Sequence, residues 1–383
     1  MKIKIIIFFT IVLYVLNIES RIISYKTIPE FLKLYPNTNW IKCTENYAFD
    51  YPEFPLYPEY KEKYFPNKGF HSDISILESP DAIISIDSYG YIFINDIFLK
   101  EMQVKNFNPF KEKEIIYRPN FENFFKVKGR VAIINHLFSS IYGLFINDIL
   151  MALALLEIQG IEYDYLWIPC QLAYQKEALD IWGIDKSKII PLEHGQILSA
   201  DMIILPTSVS QNQGKVFYNV NYMPDFLIKY VRKKMLEGVK KMEIKNKFPE
   251  KIFISRKDAN NRRIIPNEDQ VFELFVPLGY KRIEFAKLSM AEKIKATNEA
   301  KRIVNFLGSG STNILFASKD LMYYEIQNQM VEATFYYMAH VLGMHYEIIN
   351  ASTVNDLNIP AFLPGKYLPL EIIQNFIKNH SEL

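Results

Sequence analysis

The sequence predicts an α/β chain with two doubly wound halves. Short apolar strands alternate with helical runs from Gly129 onward, the alternation starts afresh at Lys251, and the polar stretch Glu243–Glu250 leads from one to the other. Alternation of this kind implies parallel sheets flanked by helices. A chain of 383 residues suits two domains better than one. Hydrophobic residues at 49% and charged residues at 23% are ordinary for a globular chain. The net charge of +1 gives no global attraction to nucleic acid, so a basic site has to be local. The two cysteines, Cys43 and Cys170, cannot build a disulfide framework, and Cys170 reads as a small buried hydrophobe.

Taken in order, Lys2 and Lys4 precede an apolar run, Ile5–Leu16, followed by Asn17, Glu19 and Ser20. A basic start with a short apolar region predicts a secretory signal or signal-anchor over 1–20, although the run falls short of the roughly 20 residues of a full span. A strand or tail helix is the plainer alternative. Secretory or periplasmic placement, or membrane association through this segment, follows from the first reading; a cytoplasmic face stays open. Residues 21–72 are rich in Pro, Tyr and Asn and predict an irregular lead-in, because proline removes ladder donors and restricts its predecessor. Ile74–Leu77, Ala82–Ile86 and Tyr91–Ile94, punctuated by Ser79-Pro80-Asp81 and Tyr89-Gly90, predict a β-meander.

In the first alternating unit the expected strands are Arg130–Asn135, Tyr165–Ile168, Ile189–Leu192 and Met202–Leu205. The helices are Leu144–Gln159 and Leu172–Trp182, the latter stopped by Gly183. Pro224 to about Met242 reads as a long amphipathic helix with a basic, solvated end. In the second unit the strands are Lys251–Ser255, Arg282–Phe285, Arg302–Phe306, Leu321–Ile326 and Tyr346–Ile349. Helices cover Asn267–Leu278, with Asn267 as N-cap and Gly279 as stop, a run from Ser289 with a Ser289/Glu292 capping box, Gly308–Ala317, Thr334–Leu342 and 369–380. Domains are thus expected at 73–225 and 226–383.

The chemistry-bearing residues lie where strands end, which is where open α/β sheets bind ligands. Arg256 and Asp258 follow the strand at 251–255, with Arg262 and Arg263 close behind. Gly308-Ser309-Gly310-Ser311-Thr312-Asn313 follows the strand at 302–306. Guanidinium groups pair with phosphate oxygens, and a helix start offers free N–H donors. Together they suit the diphosphate of a nucleotide-activated sugar. A solvated surface turn and a tight packing turn are the respective alternatives, since the glycine turn lacks both the full dinucleotide fingerprint and a P-loop lysine. Asp148, on the helix after Asn135, and His136, at a strand end, are candidate bases toward an acceptor hydroxyl. An exposed helix carboxylate and a structural loop histidine are the alternatives. No Asp-x-Asp pair occurs, and His340 and His345 are off helical ligand spacing, so no metal is expected. A Gly-x-Ser-x-Gly elbow is absent as well.

Ser255-Arg256-x-Asp258, Arg262-Arg263, Asn267-Glu268, Gly279-Tyr280 and Ala300–Asn313 resemble the family 61 glycosyltransferases in order. So do Tyr142-Gly143, Asp148-Ile-Leu150, Ile168-Pro169, Gln175 and Gly183-Ile184 upstream. The resemblance covers roughly 75–350. It implies a GT-B-like fold, two Rossmann-like domains facing a cleft, with a small β-rich lead-in. It also implies a nucleotide-sugar donor held mainly by the second domain, a glycan or protein acceptor, inversion at the anomeric carbon and no cofactor or required metal. Two positions depart from the family: Leu307 stands where it usually has His before the glycine turn, and Leu144-Phe145 where it usually has a His-aromatic pair. Either His136 or Asp148 takes over, or the chain is an inactive sugar- or nucleotide-binding protein on the same scaffold.

Overall fold

The computed structural model describes residues 24–44, 47–50, 68–71, 73–86, 91–99, 102, 124–136, 138–212, 218–219, 221–257, 264–327, 331–351, 367–380 and 383. The apolar run at 5–16 lies outside them. Among the described residues no helix is long and apolar enough to cross a membrane.

The lead-in is more regular than its composition predicts. It contains β1 (Ser24–Lys26), α1 (Ile28–Leu34), β2 (Asn39–Thr44), β3 (Tyr47–Asp50) and β4 (Lys68–His71). Pro29 falls in the first turn of α1, where no intrahelical N–H is needed, so it opens a helix instead of breaking one. Glu30 secures that start by accepting from Thr27 N and Oγ1, both at 2.8 Å.

The first unit continues with β5 (Ile74–Pro80), β6 (Ile83–Ile86), β7 (Ile92–Ile94), β8 (Ile97–Leu99) and β9 (Phe124–Ile133). Then come α2 (Tyr142–Leu144), a π-helical stretch (Phe145–Leu150), α3 (Met151–Ile158), β10 (Tyr165–Ile168), α4 (Ala173–Trp182), β11 (Ile189–Pro191) and β12 (Ile197–Pro206). Their mixed sheet runs β1-β8-β7-β6-β12-β9-β10-β11, with β5 joining β12 to β2. The parallel part is β12-β9-β10-β11. The expected meander is real over β6-β7-β8, where Asn95 and Asp96 at φ 49° and 62° make the tight turn into a strand the sequence reading missed. β5 and β6, however, do not pair with each other. β12 is long enough to pair β6 through Ile197–Ser199 and β5 through Met202–Pro206, end to end.

Short strands β13 (Gln211–Asn212), β14 (Tyr218–Asn219) and β15 (Asn221–Tyr222) lead to α5 (Asp225–Lys240). The second unit contains β16 (Lys251–Ile254), α6 (Glu268–Phe275), β17 (Lys281–Ile283), α7 (Met290–Glu299) and β18 (Arg302–Phe306). A 3-10 helix (Ser309–Phe316), β19 (Met322–Gln327), β20 (Val331–Glu332), α8 (Thr334–Leu342), β21 (His345–Asn350) and α9 (Leu370–Asn379) follow. All five strands of its sheet are parallel, in the order β17-β16-β18-β19-β21. One face packs Phe253, Val304, Phe306 and Tyr324 against Val271 and Phe275 of α6 and Ile373 of α9. The other packs Ile252, Ile254 and Ile303 toward Met290 and Ile294 of α7, Ile314 of the 3-10 helix and Met338 of α8. Strand residues alternate faces, so this near-continuous apolar pattern is what two covered faces require. Asn267 departs from its expected role: its side chain makes no cap. Instead it brackets Leu368, donating to its carbonyl and accepting from its N–H, both at 2.9 Å.

Helix α5 joins the halves. Leu227, Ile228, Val231 and Met235, all fully buried, belong to one apolar cluster that holds Leu153 and Leu166 on one side and Ile303 and Met338 on the other. Its polar side chains reach both ways. Tyr230 OH and Lys234 Nζ meet Glu157 at 2.8 and 2.9 Å, and Arg232 Nη1 donates to Leu315 O at 2.7 Å.

Candidate functional site

Numbered along the second unit, its strands lie in the order 2-1-3-4-5. The first and third, β16 and β18, are neighbours, and in open α/β sheets of this order ligands bind beyond the carboxyl ends of such a pair. Arg256 comes two residues after β16, and Leu307–Asn313 directly after β18. The fold therefore brings together the two stretches singled out in the sequence. Arg256 Nη1 donates to Leu307 O at 3.0 Å. A Cβ built on Gly308 would fall 1.8 Å from that nitrogen, so only glycine lets the guanidinium lie there. Glu268, at the start of α6 and buried, braces the loop: it accepts from Ser255 Oγ at 2.5 Å and from Arg256 N at 2.8 Å. Asp258, Arg262 and Arg263 lie outside the described residues.

The turn after β18 opens a 3-10 helix in place of the expected α-helix. Its first internal bond runs from Ser311 N to Gly308 O at 2.9 Å, leaving the N–H groups of Ser309 and Gly310 ahead of it. Ser311, Thr312 and Asn313 are buried. Ser311 Oγ donates to Glu325 on β19 and receives Asn305 Nδ2 at 2.9 Å, while Gln327 Nε2 donates to the other Glu325 oxygen at 2.7 Å. Burial pushes the Glu325 carboxyl up to about 7. Leu307 packs its side chain into the apolar cluster and offers only its backbone to Arg256.

The first unit meets this turn directly. Tyr142 OH donates to Asn313 Oδ1 at 2.7 Å, and a Cβ on Gly143 would lie 2.9 Å from Thr312 Oγ1. Asp148 follows one and a half turns on, in the π-helical stretch Phe145–Leu150. Such stretches cluster at functional sites because they re-aim one side chain. Asp148 is 6% exposed, not a surface carboxylate, and burial raises its pKa against the opposing pull of His136 and Ser210. Ser210 donates to Oδ1, whereas Oδ2 is buried without a hydrogen-bond partner. His136 is also 6% exposed, with Nε2 3.9 Å from Asp148 Oδ2 and Nδ1 accepting from Phe138 N at 3.1 Å. The two side chains line a small cavity of about 30 Å³ with Asn135, Thr207 and Ser208. His340 and His345 are both exposed and stand apart from it.

Three residues of the site carry roles that sequence reading did not give them: Glu268, Ser210 and Glu325. For Glu325 a signal existed, a carboxylate inside an apolar strand, since buried charge is what singles out a residue. A family model described as Glycosyltransferase 61 matches residues 142–322, a span running from Tyr142 through the turn to β19. No curated protein matches the chain.

Proposed function

We propose a reaction for this chain from the premise that it is a member of glycosyltransferase family 61 through residues 142–322. Family membership makes it a glycosyltransferase in general terms. The finer reading is a GT-B-like pair of Rossmann-like units, 73–225 on the acceptor side and 226–383 on the donor side. The donor is a nucleotide-sugar, the acceptor a hydroxyl of a glycan or protein, and the transfer inverts the anomeric carbon. One observation carries it: Arg256, held by Leu307 O over Gly308, lies beside the turn at the carboxyl ends of β16 and β18. A guanidinium and helix-start N–H groups favour a leaving diphosphate, so the reading calls for no metal. Ser309 and Gly310 lie toward the donor, while Ser311 and Asn313 hold the turn in place. Arg262 and Arg263 would add cations toward the diphosphate, and Asp258 would orient a guanidinium. The N-terminal segment 1–20 would direct the chain to a secretory or membrane setting.

The test is a thermal-shift screen with UDP-, GDP- and CMP-sugars on the parent chain and Arg256→Ala. Stabilisation by at least one donor, lost in the variant, is expected. An unchanged shift in Arg256→Ala ends the diphosphate assignment. A second reading, a silent nucleotide-sugar binder, is favoured by the buried Leu307 side chain, which cannot move a proton. Binding without donor hydrolysis or transfer selects it.

A further inference from the structure

The cavity beside the π-helical stretch is walled on one side by a carboxylate that is half-engaged. Ser210 holds Asp148 Oδ1, and Oδ2 faces the cavity, buried and without a hydrogen-bond partner. A buried carboxylate oxygen in that condition is costly unless something arrives to satisfy it. Opposite it stands His136. Its Nδ1 accepts the Phe138 N–H at 3.1 Å, which leaves the neutral ring's proton on Nε2. That N–H faces Oδ2 across 3.9 Å, too far for a direct bond. One oxygen atom fits between them, with two bonds of about 2.8 Å meeting at roughly a right angle. A hydroxyl is the group with the right polarity: it donates to Oδ2 and accepts from Nε2–H.

We propose that Asp148 Oδ2 and His136 Nε2–H form the subsite for the attacking acceptor hydroxyl, with Asp148 as the base and Ser210 as the residue that positions it. This rests on the glycosyltransferase reading. The hydroxyl proton passes to Oδ2 as the acceptor oxygen bonds to the anomeric carbon. The bond from that carbon to the diphosphate breaks, and its electron pair leaves with the diphosphate toward Arg256. His136, with its ring proton on the cavity side and its other nitrogen occupied, orients the hydroxyl and does not take its proton. Ser210 matters because it binds one oxygen only, leaving the other to react. Among the described residues lining the cavity, which come from β7, β9, β12 and α3 and their connections, Asp148 and His136 are the two with ionisable side chains.

Loss of the Ser210 hydroxyl removes a bond that favours the ionised carboxylate, so the Asp148 pKa rises. Rates of donor hydrolysis and of transfer to simple methyl glycosides, measured from pH 5 to 9 with UDP- and GDP-sugars, read this out. Ser210→Ala is expected to move the acid limb of kcat to higher pH and to lower kcat by about tenfold or more. UDP or GDP affinity by calorimetry should stay within twofold, and Ser210→Thr should restore the profile. Asp148→Asn should lower kcat by ~10²–10⁴ with donor binding intact. If Ser210→Ala does not fold, Ser210→Cys, a weaker donor, should give the same shift in smaller measure. Asp148→Asn with kcat within threefold of the parent, or Ser210→Ala with an unmoved acid limb, overturns the assignment while leaving the diphosphate site standing. Absence of any nucleotide-sugar binding by the parent overturns both.

Discussion

Arg256 Nη1 reaches the carbonyl oxygen of Leu307 through the space that Gly308 leaves empty. The backbone there is extended, at φ 163°, which any residue can adopt, so the constraint is the guanidinium and not the dihedral. Gly308→Ala should therefore fold and yet displace Arg256. Losing one charge-assisted contact is worth about 1.5–3 kcal/mol, or roughly 10- to 150-fold in affinity. Calorimetric titration with the donor identified in the screen reads it; equal affinity in Gly308→Ala would show that Arg256 does not hold the ligand from this position.

The Tyr142–Asn313 bond ties the two halves. Burial raises the phenol well above its ordinary pKa, so it stays a donor throughout the accessible pH range. Tyr142→Phe leaves Asn313 Oδ1 buried without that donor, costing about 1–3 kcal/mol. Urea unfolding should show a lower midpoint with the same slope. A midpoint indistinguishable from the parent's would mean that the bond adds nothing to the folded state.

Glu268 is expected to act on ligand binding more than on stability, because the groups it fixes belong to the Arg256 loop. Glu268→Gln retains one acceptor oxygen and loses the other. A rise in the donor KM of about fivefold or more, with kcat within twofold, is expected from a loosened loop. The reverse pattern, a lower kcat at constant KM, contradicts this role.

Glu325 supplies a pH dependence with a definite sign. Its folded pKa of about 7 lies above the ordinary 4.5, so the folded state holds the proton more tightly than the unfolded chain does. Its stabilising contribution is complete below about pH 4.5 and is lost as pH rises through 7, a change on the order of 3 kcal/mol. The surrounding ionisable groups are Tyr323, Tyr346 and Glu332, with Arg256 the cation that opposes the shift. Asp148 contributes with the same sign, so the informative quantity is the difference between parent and Glu325→Gln. That difference should change between pH 4.5 and 7 and be flat below. A constant difference across the range refutes it.

The alternating strands and helices were legible because the central strands of the second unit carry apolar stretches, Ile252-Phe253-Ile254 and Ile303-Val304, buried on both faces. Arg256 and the glycine turn were legible as strand-end residues. What local pattern could not give was β12 serving two antiparallel partners end to end, since that depends on its length and not on a turn signal. α1 was hidden because its proline looks like a breaker until Thr27 and Glu30 are seen to cap it. Asp148 was ambiguous because a π-helical turn leaves no periodicity of its own, and its burial follows from packing. Asn267 carried a cap signature, but Leu368, 101 residues away, claimed its amide.

Helix α5 has a consequence for how the halves can move. A swing that parted the halves would bring Leu227, Ile228, Val231 and Met235 into water, at about 1.5–3 kcal/mol each. It would also break the bonds that tie this helix to Glu157 and Leu315. α5 therefore acts as a keel shared by both sheets and not as a hinge between them.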